Sequence, residues 1–295
     1  MVIPTKNSSR TLDVCLKSVL NQTYPNLEII VVDNFSEDGT IKIAEKYGAI
    51  VIKASSERSA AKNIGLRRAR GEYIIFIDSD MELSPTLIEE CVEVAQSSPN
   101  FGGAIIPERS VGSSWWVTVR NFERSFYSGT QIESARFFRR DLALMVGGFD
   151  EDLVFFEEAT LPSKLRMAGY NVDYRVGSFI YHHEEDFSLI RWLKKKYYYG
   201  KTLALYLDRY GEYTADDQLN PLRRVSIFLR NRRFYSHPGL AMGVLILKLM
   251  EFISVLAGHI NGEVIPSLLS DLSRKVRKLA NRVSRERVNP SRNHS

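Results

Sequence analysis

The chain has 295 residues, 44% of them apolar and 25% charged, with a formal net charge of +5. That length and balance exclude wholesale disorder and allow one large domain or a domain with an appendage. Two cysteines, Cys15 and Cys91, each on an apolar helical face, argue against a disulfide framework or a zinc site and read as small core residues.

Val2-Ile3 begins a strand so early that no signal peptide is expected, and Pro4 to Ser9 form the turn after it. Leu12 to Leu20 repeats apolar residues at helical spacing, and Leu27 to Val32 is an apolar run stopped by Asp33-Asn34. Thr40 to Tyr47 reads as a helix with Gly48 as its stop, and Ala49 to Lys53 as a third strand. Ser59 to Arg70 is a basic helix closed by Gly71, with Arg67, Arg68 and Arg70 on a solvated face. Tyr73 to Ile77 then reads as a buried strand that ends abruptly in Asp78, Asp80 and Glu82. Strands and helices in this rhythm predict a parallel sheet with right-handed crossovers, whose polar loops share one rim.

Carboxylates at alternate positions repel one another unless a cation lies between them, and hard oxygen donors suit Mg²⁺ or Mn²⁺, which in turn hold phosphates. A second D-x-D, Asp150-Glu151-Asp152, is expected to bind nothing. The chain has neither G-x-G-x-x-G nor G-x-x-x-x-G-K-[ST], which makes dinucleotide oxidoreductases and P-loop enzymes poor candidates.

From Pro221 onward basic residues far outnumber acidic ones, which points to an anionic surface. Leu222, Val225, Phe228 and Leu229 form an apolar stripe among arginines, which suits a membrane interface. Leu240 to Ile260 is nearly all apolar and reaches the ~20 residues a bilayer span needs. Lys248 and Glu251 can pair within it, so spanning, re-entrant, interfacial and buried placements all stay open. Leu272, Val276, Leu279 and Val283 line one face of a further basic helix, and the residues after Asn289 are expected to be disordered. Nucleic acid would explain the charge but not the apolar helix between basic ones, so a membrane is the expected partner. Trp115-Trp116 reads as core by default, and Arg139-Arg140 is a candidate for steering an acceptor phosphate.

The motifs Val2-Ile-Pro-Thr-Lys-Asn7, Ser18-Val-Leu-Asn-Gln-Thr-Tyr-Pro25, Glu28-Ile-Ile-Val-Val-Asp33, Ser36-Glu-Asp-Gly-Thr40, Arg58-Ser-Ala-Ala-Lys-Asn63-Ile-Gly65 and Asp78-Ser-Asp80 follow one another in order. Together they resemble the nucleotide-sugar half of family 2 glycosyltransferases, which have the GT-A fold. Further on, Gly147-Gly148-Phe149-Asp150-Glu151, Glu157-Glu158 and Leu165 to Gly169 resemble that family's acceptor half, whose acidic pair is usually Glu-Asp. Val172 to Val176 and Ile180 to His183 are the closing strands.

The resemblance implies a donor that is a nucleotide diphosphate sugar. Pro4, Thr5, Asp33 and Asn34 match the nucleobase positions, with Asn34 where an Asp is usual, and Arg58 matches an arginine that reaches the nucleotide. Asp78 and Asp80 match the nucleotide and metal positions; Glu82 and His182 are further candidate ligands for Mg²⁺ or Mn²⁺. Glu158 matches the general base, with Glu157 beside it. Arg191-Trp192 lacks the Gln of a processive Q-x-x-R-W helix, since Ser188 stands there. The expected architecture is an α/β GT-A domain with a mixed Rossmann-like sheet over 1–185 (1–82 donor half, 83–185 acceptor half). A basic and aromatic helical region over 186–236 and a membrane-associating appendage over 237–295 follow. The expected activity is metal-assisted, inverting sugar transfer to a lipid-linked saccharide or polyprenyl phosphate at the cytoplasmic membrane face. The alternatives are a soluble transferase acting on polysaccharide or a small acceptor, and a non-catalytic relative that binds sugar nucleotides.

Overall fold

A computed structural model describes residues 1–130, 132–133, 135–185, 187–214 and 221–264. The basic helix expected around Leu272–Val283 and the tail after Asn289 lie outside the described residues.

β1 (Val2–Thr5), α1 (Leu12–Leu20), β2 (Ile30–Asp33), α2 (Thr40–Lys46), β3 (Ile50–Lys53) and α3 (Arg58–Arg68) alternate, and the three strands pair in parallel in the order β1-β2-β3. Their runs are β-branched and apolar at successive positions because helices cover both faces of the sheet. β4 (Tyr73–Ile75) lies on the other side of β1, joined by a Val2–Phe76 bridge and by Ile77 N–H donating to the Val2 carbonyl at 3.2 Å. After β5 (Met81–Leu83) and α4 (Leu87–Ser97) the sheet grows through β6 (Gly103–Ile105), while β7 (Glu108–Val111) and α5 (Trp115–Arg124) branch away. β8 (Ala135–Arg139) inserts antiparallel between β4 and β6, and after α6 (Arg140–Met145) and α7 (Glu157–Met167), β9 (Tyr174–Arg175) pairs parallel with β6. β10 (Ile180–His183) pairs with β5 and β7 in a second, small sheet. Apolar clusters fill both faces of the main sheet, around Ile3, Leu16 and Val31 on one and Val2, Phe76 and Phe138 on the other. Cys15 and Cys91 are buried and free.

The stretches before and after Glu82 are pinned together by Asn63. Its amide donates to the Phe149 carbonyl and to Glu151 Oε1, both at 2.9 Å, and its Oδ1 accepts from Phe149 N–H at 2.8 Å. Gly148 sits at φ +70° against that side chain, where a Cβ would collide with Asn63 Oδ1, so the Gly-Gly turn is required for the two stretches to meet.

The carboxyl-terminal part is helical: α8 (Leu189–Gly200), α9 (Leu203–Thr214), α10 (Pro221–Leu229), α11 (Arg232–Tyr235) and α12 (Pro238–His259). α12 packs along α8 and crosses α5, while α9 packs on α7. Gly258 and Gly200 let α12 and α8 approach backbone to backbone, since a Cβ on Gly258 would strike the Tyr197 carbonyl oxygen. α12 is the helix among the described residues long and apolar enough to cross a membrane. Its two faces differ. Ala241, Val244, Leu247 and Glu251 are buried against the protein, whereas Met242, Ile246, Leu249, Ile253, Leu256 and Ile260 form an exposed apolar stripe at helical spacing.

Three sequence expectations fail here. Phe228 is fully buried in an aromatic cluster with Phe126, just after α5, and Phe234 of α11, so the α10 stripe is split, with Leu229 left exposed. Trp115 is half-exposed, its ring lying where a Cβ on Gly243 of α12 would come within 2.7 Å. Arg139 pairs with Asp141 and Arg140 donates to the Leu66 carbonyl, both away from the cavity described next.

Candidate functional site

A cavity of about 1060 Å³ opens at the carboxyl ends of β1 and β4 and runs between the α/β domain and α8, α9, α10 and α12. At its domain end lie Pro4, Thr5, Asn34, Arg58, Asp78, Asp80, Glu157, Glu158 and His182. The carboxyl ends of parallel strands collect ligands because each loop leaving the sheet contributes polar groups to one rim.

Asp33 is fully buried below that rim rather than on it. Its Oδ1 accepts from Thr5 Oγ1 at 3.0 Å and Ser36 Oγ at 2.5 Å, and its Oδ2 from Ser36 N–H at 2.8 Å. Asn34 faces the cavity with its amide donating to the Ser56 carbonyl at 2.9 Å.

Glu157 and Glu158 open α7 after Phe156, whose φ of +46° is unusual for a bulky residue and turns the chain sharply into the helix. Arg58 Nε lies 3.5 Å from Glu157 Oε1, and Lys62 Nζ lies 3.6 Å from Glu158 Oε1. Arg136 of β8 stands 3.6 Å from Glu158 Oε2 and 2.6 Å from Glu108 Oε1. Glu108 then meets Arg124 at 3.2 Å and His182 Nδ1 at 3.5 Å, and His182 Nε2 reaches Asp80 Oδ2 at 3.3 Å. Arg120 pairs with Glu184 beneath. Opposite charges therefore alternate from Lys62 through Glu158, Arg136, Glu108 and His182 to Asp80.

This alternation sets the protonation states. Burial opposes ionisation of Glu158, but Arg136 and Lys62 outweigh it and hold the carboxyl below the ordinary glutamate range. Burial acts the same way on Asp78, and Arg58, Arg136, Lys62 and His182 overcome it and hold the carboxyl well below its usual value. Glu157 differs: burial dominates and raises it. His182 is pushed up to about 9, its burial outweighed by hydrogen bonds to Asp80 and Glu108.

Strand alternation sorts the remaining candidates. Consecutive residues on β10 face opposite ways, so His182 meets Asp80 while His183 Nε2 bonds Glu82 Oε2 at 2.8 Å on the far side. Glu82 is thereby turned away from the cavity and from Asp80. Asp150 and Asp152 are engaged by Arg209, and Asp150 also by Lys164 and Tyr210.

Among the described residues no three His, Cys, Asp or Glu side chains form a preformed metal cage. The donors nevertheless suit a hard divalent ion: Asp80 Oδ1 is buried without a hydrogen-bond partner, beside Asp78 and His182. Mg²⁺ and Mn²⁺ commonly take one or two carboxylates and complete their shell with phosphate and water, so a partial protein shell is what such a site needs. Sequence reading missed Glu108 and Arg136. The available signal was a charged residue at an inward position of an otherwise aromatic strand, Ala135-Arg136-Phe137-Phe138.

The sequence model of Glycosyl transferase family 2 matches residues 1–150. A cholesterol galactosyltransferase of Borreliella burgdorferi is 42% identical over 89 residues, 28% of this chain and 25% of that protein. The glycosyltransferase AglE of Haloferax volcanii is 26% identical over 218 residues, 68% of this chain and 71% of that one. With four of the curated relatives, the matched stretch covers only 25% to 30% of the relative's length. Among solved structures, a mannosyltransferase of Pyrobaculum calidifontis in complex with GDP-Man and Mn²⁺ superposes with a TM-score of 0.60 at 17% identity, covering 88% of this chain and 85% of that one. TarS of S. aureus with UDP-GlcNAc gives 0.53 at 16% identity, covering 90% of each. At these identities the structural likeness is one of fold.

Proposed function

The chain belongs to glycosyltransferase family 2, and we propose that it transfers a sugar, with inversion, from a nucleotide diphosphate sugar to a lipid-carried acceptor at a membrane surface. The observation that carries the acceptor half of this reading is the path of the cavity. From Asp78, Asp80 and Glu158 it runs to Leu207, Leu249 and Phe252, three exposed side chains, and Leu249 belongs to the apolar stripe of α12. A cavity that starts among charges and ends at an exposed apolar helix face suits an amphiphile better than a soluble glycan. The stripe suits an interfacial helix, lying in the plane of the membrane with its other face on the protein. Half-exposed Trp115 beside it is the residue type found at such interfaces. The basic carboxyl-terminal sequence favours an anionic membrane surface. One relative is itself named for transfer to a lipid, cholesterol.

In the proposed reaction Pro4, Thr5 and Asn34 border the nucleobase, and Asp33 braces that edge from below. Arg58 neutralises charge on the diphosphate. Glu158, kept ionised by Arg136 and Lys62, takes the proton of the acceptor hydroxyl. As the acceptor oxygen bonds to the anomeric carbon, the bond from that carbon to the diphosphate breaks and its electron pair leaves with the nucleoside diphosphate. A divalent cation held by Asp78 and Asp80, with His182 joining only once the metal has displaced its proton, would supply further neutralisation of that leaving group.

The test is nucleoside diphosphate release from a panel of UDP- and GDP-sugars with Mn²⁺, with and without a membrane lipid extract. The expected result is release that depends on lipid and falls about 10²–10⁴-fold in Glu158→Gln. Release by the wild type that is indifferent to lipid would overturn the acceptor assignment, and full activity in Glu158→Gln would overturn the base.

A further inference from the structure

Most cations at the domain end of the cavity face a carboxylate: Arg58 meets Glu157, Arg136 meets Glu108 and Glu158, and Arg124 meets Glu108. Lys248, on the α12 wall, is likewise paired with both Glu123 and Glu251. Three half-buried cavity-lining cations are different. Among the described residues, Lys195, Lys196 and Arg224 have no ion-pair partner, which sets them apart from Lys6, unpaired but exposed to solvent at the domain end.

Aromatic rings hold these three instead. Lys196 Nζ lies 4.4 Å from the Trp192 ring centre, Lys195 Nζ lies 5.5 Å from that of Tyr199, and the Arg224 guanidinium lies 5.5 Å from that of Phe156. Arg224 Nε is buried with no hydrogen-bond partner, a cost that a bound acceptor atom would remove. Burial lowers the Lys196 ammonium to about 8; Glu251 opposes this, while Lys248, Arg224 and Lys195 add to it. A surplus of desolvated cations in one place calls for an anion.

Position indicates which anion. Arg224 packs on Phe156, the residue immediately before Glu157-Glu158, so a group bound there lies beside the proposed base. The same stretch of cavity wall carries Leu245, Leu249 and Phe252, and ends at the open apolar mouth. A phosphoryl group offers several oxygens to separate cations, meeting an ammonium as a point charge and a guanidinium through paired hydrogen bonds. We propose that Lys196 and Arg224, with Lys195 beside them, form an anion subsite for the phosphoryl group of the acceptor. That acceptor is a lipid phosphate whose hydrocarbon chain leaves through the mouth at Leu207, Leu249 and Phe252. The proposal rests on the lipid-acceptor reading above and names its headgroup.

The test titrates the full chain with farnesyl phosphate, farnesol and inorganic pyrophosphate in detergent, following tryptophan emission, to which Trp192 beside Lys196 contributes. A parallel melting-shift measurement with the donor and Mn²⁺ reports on the domain end. Farnesyl phosphate should bind at least tenfold more tightly than farnesol or pyrophosphate. Lys196→Met and Arg224→Gln should each weaken it by about ten- to a hundred-fold while farnesol binding is kept, and Lys196→Arg should restore most of the affinity. Farnesol binding and the donor melting shift serve as the folding controls. Equal binding of farnesol and farnesyl phosphate, or farnesyl phosphate binding indifferent to both substitutions, overturns the anion subsite and leaves the lipid reading standing. No binding of either prenyl compound alongside an intact donor shift overturns the lipid reading itself. Pyrophosphate binding as tight as farnesyl phosphate overturns the lipid source of the anion.

Discussion

Replacing Lys248 with methionine tests whether α12 is docked on the transferase domain as described. Lys248 is 16% exposed, and its two partners, Glu123 and Glu251, are 8% and 10% exposed. Methionine fills similar space and leaves two buried carboxylates without their cation. Removing one partner of a buried pair typically costs about 3–5 kcal/mol. Two retained hydrogen bonds moderate this: Tyr127 still donates to Glu123 and Trp192 Nε1 to Glu251, both at 2.6 Å. The expected loss is therefore near the lower end, about 3 kcal/mol, or a fall in Tm of roughly 6–10 °C for a chain of this size. Thermal melting followed by far-ultraviolet circular dichroism reads it, with Lys248→Met/Glu123→Gln/Glu251→Gln as the companion variant. Neutralising all three charges should recover most of the lost stability. A change within about 0.5 kcal/mol in Lys248→Met would refute the burial of this cluster, and with it the docked position of α12.

The folded-state values of Asp78, Glu108 and Glu158 all lie below their unfolded ones. Their stabilisation is therefore complete above the unfolded carboxylate range, about pH 4–4.5, and is lost as pH falls through the folded values. A Tm profile should drop steeply on acidification below that range, and Arg136→Met should flatten the drop; identical profiles would contradict the role given to Arg136. Chelation with EDTA should abolish the melting shift produced by the donor with Mn²⁺, and Asp80→Asn should do the same without chelator. Leu249→Glu and Phe252→Glu each remove an apolar contact worth about 1.5–3 kcal/mol if the stripe is embedded, so vesicle sedimentation should show roughly tenfold or greater loss of retention. Unchanged sedimentation would remove the stripe from membrane binding.

The first third of the chain was legible because its strands and helices alternate and their apolar runs are continuous. This is why β1 to α3 appear where periodicity places them, with Leu27–Val32 trimmed to begin pairing at Ile30. Motif order likewise brought Arg58, Asp78, Asp80, Glu157 and Glu158 to one cavity. What escaped depends on pairing partners that sequence does not display. His182 and His183 are adjacent and chemically equal, yet β10's place between β5 and β7 sends one to Asp80 and the other to Glu82. Arg136 is a charge in an apolar strand, but that its partner is Glu108, 2.6 Å away, shows only once the strands are placed. Hydropathy marked Leu240–Ile260 as apolar throughout. Only packing distinguishes the side that carries Glu251 onto Trp192 from the side that leaves Leu249 bare.

The most direct measurement of sugar transfer to a membrane lipid uses the full chain, Mn²⁺, donors labelled in the sugar, and vesicles made from bacterial lipid extract. The label is then partitioned between organic and aqueous phases. Lipid transfer predicts label in the organic phase with wild-type protein and only background with Glu158→Gln. Label that stays aqueous while the nucleoside diphosphate is released would contradict a lipid acceptor.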